Sequence, residues 1–181
     1  MTNHLTFIAG SDIDYFYEIE DFIGKGDACH AKYNGSKIGG CVLNAASVCA
    51  MLGSKVKVLD YLKKDDDGTK LLIDGLREHN IDVSSIKYGK DVTNGTCLIM
   101  TKGDEKCIYV VEPDRPYFDE IEVKDVLFNS SYVYTLMHIV NASFKNTDIL
   151  KEAKRQGTKI IFDGASQYKT NYEKGSKYIL E

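Results

Sequence analysis

Gly39, Gly40 and Asn44 stand in the run KIGGCVLNAASVCAMLG, from Lys37 to Gly53, and their types suit binding more than reaction. A glycine pair lets a ligand approach the backbone closely. An asparagine amide offers both donors and an acceptor. Ala45, Ala46, Ser47, Cys49 and Ala50 follow with little bulk, so a helix over about 40–52 can lie tight against a sheet. The same residues also suit a closely packed helix behind a glycine turn, and the segment alone leaves both readings open. Elsewhere the reactive types are scattered. The four histidines (His4, His30, His79, His138) form no cluster, and the five cysteines are odd in number with no C-x-x-C spacing. A zinc site is therefore not expected, and reduced core or strand thiols in a cytoplasm account for the cysteines better. The acidic run Asp65-Asp66-Asp67-Gly68 fails as a calcium loop, because Lys63 would hold the first ligand position and Asp74 the twelfth. It reads as a solvated turn at a helix start, where carboxylates suit the helix dipole.

The elements that must position these residues alternate. LTFIA, 5–9, is a short buried-type strand. In SDIDYFYEIEDF, Ile13, Tyr15, Tyr17 and Ile19 alternate with Asp12, Asp14, Phe16 and Glu18, the period of a strand with one wetter face. CHAKY, 29–33, is expected to return as a strand before a turn at Asn34-Gly35. After the small-residue helix come a strand over 55–62 and a helix over 68–79, with Leu71, Leu72 and Leu76 at helical spacing. The stretch 92–111 carries two apolar runs around KGDE, a hairpin signature. SYVYTLM at 131–137, a helix over 146–157 closed by Gly157 and a strand at 158–163 complete a βαβ unit. Alternating strands and helices imply a mostly parallel sheet covered on both faces. The strand pairs near 12–33 and 92–111 break that rhythm and predict a separate small β-layer.

Length and composition suit one domain: 181 residues, 43% hydrophobic and 28% charged. A net charge of -4 gives no general attraction to nucleic acid or to an anionic membrane. The first ten residues lack the basic start and apolar core of a signal peptide, and no apolar run approaches the roughly 18 residues of a membrane span. No G-x-G-x-x-G follows the first strand, so a dinucleotide-binding domain is not expected.

Several ordered motifs together resemble the N-terminal part of the ribokinase-like, PfkB-family carbohydrate kinases, over nearly all of the chain. IAGSDIDYF is similar to the family's opening strand, G-x-x-N-x-D, with Asp14 on the substrate-binding aspartate, Asp12 in place of Asn and Ala9 in place of Gly. GGCVLNAASVCAMLG resembles the signature G-G-x-x-x-N-x-A. KKDDDGTKLLIDGLREHNID resembles the helix start G-x-D-x-x-G with Lys63 at the first glycine, and TNGTCLIMTKGDEKCIYVVEP resembles the lid hairpin. GTKIIFDGASQ matches the strand that usually continues D-P-N, with Gly164 and Ala165 standing instead.

The resemblance implies an α/β fold: a ribokinase-like three-layer body with a mostly parallel sheet, plus a small β-sheet lid. It implies a sugar kinase, moving the γ-phosphate of ATP with Mg2+ to a hydroxyl of a small-molecule sugar. The implied substrate-binding residues are Asp12, Asp14, Gly39, Gly40 and Asn44, with His138 just after the 131–137 strand; a surface histidine at a strand end is the alternative for His138. The family's D-T-x-G-A-G-D motif, with its aspartate base and helix-start anion hole, does not occur in this sequence, nor does its magnesium-linked N-x-x-E. The resemblance places that base C-terminal to Glu181, the last residue of the sequence. The expectation is therefore that residues 1–181 are the sugar-binding half of one kinase domain, without catalytic residues, inactive and without ATP or Mg2+ by itself. A lid-to-lid homodimer is implied as well. A nucleoside kinase, with Tyr15, Phe16, Tyr17 and Tyr109 about a base, and an inactive sugar-binding or regulatory protein are the competing readings.

Overall fold

A computed structural model describes residues 4–164. Its centre is a parallel sheet of β1 (Leu5–Ile8), β4 (Val56–Leu59), β9 (Tyr132–Leu136) and β10 (Lys159–Asp163), in the order β10-β9-β1-β4. Side chains alternate across each strand, so neighbouring residues enter different cores. Phe7 and Val58 join Val42, Leu43, Leu72 and Leu76 on one side. Ile8 and Leu59 join Leu127, Val140, Leu150 and Ala153 on the other. The helices that supply those partners are α1 (Cys41–Met51) and α2 (Asp67–Glu78) on the first face, and α3 (Glu120–Phe128), α4 (Met137–Ser143) and α5 (Asp148–Arg155) on the second. This is the three-layer α/β body expected from the alternation.

The second sheet is separate, as the strand periodicity predicts. Its strands are β2 (Asp12–Ile19), β3 (Ala31–Gly39), β7 (Gly95–Lys102) and β8 (Glu105–Val111), in the order β3-β2-β7-β8. Ile13 faces the body core while Asp12 and Asp14 face the other way. Asn94, just before β7, ties this sheet to the body. Its amide donates to Asp66 Oδ1 at 2.9 Å, and its oxygen accepts from Lys63 N at 3.0 Å. Asp66 also caps α2 by accepting from Thr69 N at 3.1 Å, so the acidic run is a helix start.

Three local expectations are corrected. The returning strand does not stop before Asn34-Gly35; β3 runs through that pair to Gly39. Gly35 takes a φ of +113°, and a register shift between Phe16 and Tyr17 absorbs the irregularity as a bulge. The strand expected over 55–62 is broken at Asp60 into β4 and β5 (Tyr61–Lys63), and β5 pairs with the short β6 (Lys87–Gly89). The helix expected over 146–157 is shorter, Asp148–Arg155, with Gly157 beyond its end at φ +101°. No sequence pattern points to α3 or α4. Two expectations fall outside the described residues: Ala165 in the strand-end motif, and Glu181, beyond which the resemblance places the base. Among the described residues no helix is long and apolar enough to cross a membrane.

Candidate functional site

The parallel strands β1, β4 and β9 end on one side of the body. The residues that follow them are Ala9-Gly10, Asp60 and Met137-His138. In open α/β sheets this carboxyl edge is where ligands bind. Here the second sheet overhangs it, enclosing a cavity of about 410 Å3. Asp12 and Asp14 enter from β2, and Gly40, Cys41 and Asn44 from the start of α1. Cys97, Ile99, Ile108 and Val110 come from the β7–β8 hairpin, and Glu112 and Arg115 from the segment after it. His138 and Ile139 line the body side. Five of the six residues expected to bind substrate thus line one cavity: Asp12, Asp14, Gly40, Asn44 and His138. The catalytic base is expected C-terminal to Glu181, outside the described residues.

Gly39, the sixth, is buried and is not part of that lining. Its hydrogen occupies the space where a Cβ would collide with the Asp14 carboxylate, the nearest group. Gly40 has a φ of +95°, and a Cβ there would run into the carbonyl oxygen of Gly10. The pair therefore lets β2, the Gly10 turn and the start of α1 pack within touching distance. Asn44 sits one turn into α1, its backbone N–H bonded to Gly40 O at 2.9 Å and its exposed side chain at the cavity.

The electrostatics centre on an arginine and an aspartate that no sequence motif marks. Asp60 has a fully buried side chain, and Arg115 is 7% exposed; Arg115 Nη1 donates to Asp60 Oδ1. Asp60 also accepts from Ser11 N at 3.1 Å and Tyr61 N at 2.7 Å. A carboxylate inside the apolar run KVKVLDYL is the available signal, because such a charge needs a partner. Burial pushes the Asp12 carboxyl up from 3.8 to about 6; Arg115 pulls it back, while Asp60, Glu112 and Asp14 push it further. Burial also raises Asp14, against a hydrogen bond from the Cys97 thiol. Cys97 itself is pushed up to about 12, by burial and then by both aspartates, so it stays a thiol that orients Asp14.

The Asp12 shift has a measurable consequence. Its carboxyl binds protons more tightly folded than unfolded, so ionised Asp12 destabilises the fold above pH 6. Stability should rise as pH falls from about 6 toward 3.8. The difference corresponds to at most about 3 kcal/mol. Asp12→Asn should add about 1–3 kcal/mol at pH 7.5 and flatten that slope, as read by urea unfolding at several pH values. An unchanged slope in Asp12→Asn would place the titration elsewhere.

A wider surface groove of about 690 Å3 lies between β3 and α2, near Lys37, Lys70, Asp74 and His79. Its charges form solvated pairs such as Lys70–Asp74 at 3.4 Å, and none of the buried unpartnered polar atoms belongs to it. Among the described residues no group of three or more His, Cys, Asp or Glu is placed to hold a metal ion. None of these residues is assigned to Mg2+, and no step is routed through it.

A parallel sheet between helix layers, with a second sheet roofing its carboxyl edge, is the ribokinase-like class of fold. Residues 4–176 match the pfkB family of carbohydrate kinases, and the chain belongs to that family. Among solved structures it is similar to ribokinase from Giardia lamblia, at 21% identity and a TM-score of 0.73, covering 92% of this chain and 52% of that one. It is similar also to Arabidopsis thaliana ribokinase complexed with ribose and ATP, at 21% identity and a TM-score of 0.75, covering 90% and 54%. The nucleoside kinase of Methanocaldococcus jannaschii is a more distant likeness, at 14% identity and a TM-score of 0.58, covering 99% and 65%. No curated protein matches the sequence. The chain spans about half the length of the two ribokinases.

Proposed function

We propose that this chain is the acceptor-binding part of an ATP-dependent sugar kinase, and that Asp12, Asp14, Gly40, Asn44 and His138 surround the sugar while Gly39 makes room for Asp14. The observation that carries the reading is the convergence of two carboxylates, an amide and an imidazole on one cavity at the strand ends. Hydroxyl-rich ligands need such matched donors and acceptors, since an unmatched buried polar group costs about 1–3 kcal/mol. The family membership and the ribose and ATP of the Arabidopsis structure support it. ATP and Mg2+ would be held by a further half, C-terminal to Glu181, supplying the aspartate base and the anion hole, with the lid excluding water. The cytoplasm, where thiols stay reduced, is the proposed place of action.

The 181-residue chain should bind sugar without releasing ADP. Losing one transition-state donor alone costs roughly 10²–10³ in rate, and this reading assigns the whole donor side to residues beyond Glu181. A coupled ADP-release assay over a sugar panel tests this, beside direct binding. Sugar-dependent ADP release above a no-protein control would show that the chemistry has been assigned to the wrong residues. The likeness to a nucleoside kinase favours nucleosides as the second reading. The cavity lining, however, includes none of Tyr15, Phe16, Tyr17 and Tyr109, and nucleosides in the same assays decide. We also propose a homodimer through the second sheet, whose edge strand β8 exposes Ile108, Tyr109, Val110 and Val111. Light scattering of the complete kinase showing only monomer would count against it.

A further inference from the structure

Among the described residues, the cavity lining carries more negative than positive charge. Asp12, Asp14 and Glu112 all line it. Among the described residues Arg115 is the one Lys or Arg in that lining, and it is ion-paired with Asp60, a fully buried carboxylate outside the lining. Arg115 still keeps a buried Nε without a partner, and His138 a buried Nδ1. The site therefore has carboxylates in search of a cation and an N–H in search of an acceptor oxygen. A metal ion does not answer this, because among the described residues no side chains are gathered to ligate one. A sugar acid would bring a further negative charge to three carboxylates. A neutral sugar would satisfy the N–H but leave those charges unbalanced in a partly buried site, where charge interactions are much stronger than in water.

Building on the sugar-kinase reading, we propose that the acceptor is a hydroxyl compound that also carries an ammonium group, of the amino-sugar or amino-polyol class. Asp12, with Asp14 and Glu112 beside it, receives the ammonium, and Arg115 Nε–H donates to a ligand oxygen. Charge-assisted hydrogen bonds of this kind are about twice as strong as neutral ones. The raised proton affinity of Asp12 fits a carboxylate waiting for a cation.

The test is calorimetric binding to the 181-residue chain near pH 7. Glucosamine, galactosamine and mannosamine are compared with their neutral parents, with the N-acetyl forms and with glucuronate. At least one amino sugar should bind about tenfold or more tighter than its neutral parent, with a preference that weakens as salt rises. Acetylation, which removes the charge, should abolish that preference, and glucuronate should bind weakest. Asp12→Asn should cost the amino sugar about tenfold and its neutral parent much less. Glu112→Gln, at an exposed rim position where folding is not at stake, should cost a smaller factor in the same direction. Neutral sugars binding as well as amino sugars, or glucuronate binding best, would overturn the proposal while leaving a sugar kinase. Failure of every sugar to bind a chain that unfolds cooperatively would overturn both readings.

Discussion

Arg115→Met is expected to destabilise the protein by about 3–5 kcal/mol, because it leaves Asp60 charged, fully buried and without its cation. That is a large fraction of the roughly 5–15 kcal/mol by which domains are stable. The two backbone N–H groups of Ser11 and Tyr61 would still bond to Asp60. They position the carboxylate but bring no net charge. Adding Asp60→Asn to Arg115→Met should recover most of the loss, since neutral replacements of a buried ion pair are often neutral or stabilising. Denaturant midpoints of the two single variants and the double variant measure this. A loss under about 1 kcal/mol for Arg115→Met would mean that the pair is solvated and worth no more than a surface salt bridge.

The pair also explains where sequence reasoning stops. Hydrophobic periodicity reports which face of an element is buried, and so the strands of the two larger sheets and helix α2 can be read directly, while α1 is read from its small residues. The family resemblance marks Asp12, Asp14 and His138, and the glycine–asparagine run marks Gly40 and Asn44, all near strand ends or a helix start that the pattern locates. Asp60 and Arg115 are 55 residues apart and in two different connecting segments, so no local period relates them. The break in the strand at Asp60 has the same origin, since its carboxylate draws in the N–H groups of Ser11 and Tyr61. Gly39 shows a different limit. A glycine pair indicates close approach, but only the structure shows that a Cβ at Gly39 would meet the Asp14 carboxylate. The bulge at Phe16/Tyr17 is hidden because Asn-Gly is a strong hairpin-turn signal, and pairing along all of β2 outweighs it.

On the proposed sugar-kinase reading, Asp14→Ala should lower kcat/KM for the sugar by about 10²-fold in the full-length kinase, and weaken sugar binding to the 181-residue chain by a similar factor. Hydrogen bonds to a charged group contribute about 1.5–3 kcal/mol, and about 3 kcal/mol is a hundredfold. The fold should be unaffected, because the Asp14 carboxylate sits at the cavity, on the opposite side of β2 from the core residue Ile13. Burial already disfavours the charged form of Asp14, so removing it takes away a desolvated charge and no core contact. Urea midpoints of Asp14→Ala and the parent should therefore agree closely while the affinities separate. Gly39→Ala is the companion test, since the new Cβ would displace the Asp14 carboxylate without changing its chemistry. It should reproduce part of the affinity loss, and the double variant should be little worse than Asp14→Ala alone, because both act on one contact. Near-normal kcat/KM for Asp14→Ala would make Asp14 an ordinary strand residue and leave the glycine pair with a packing role only.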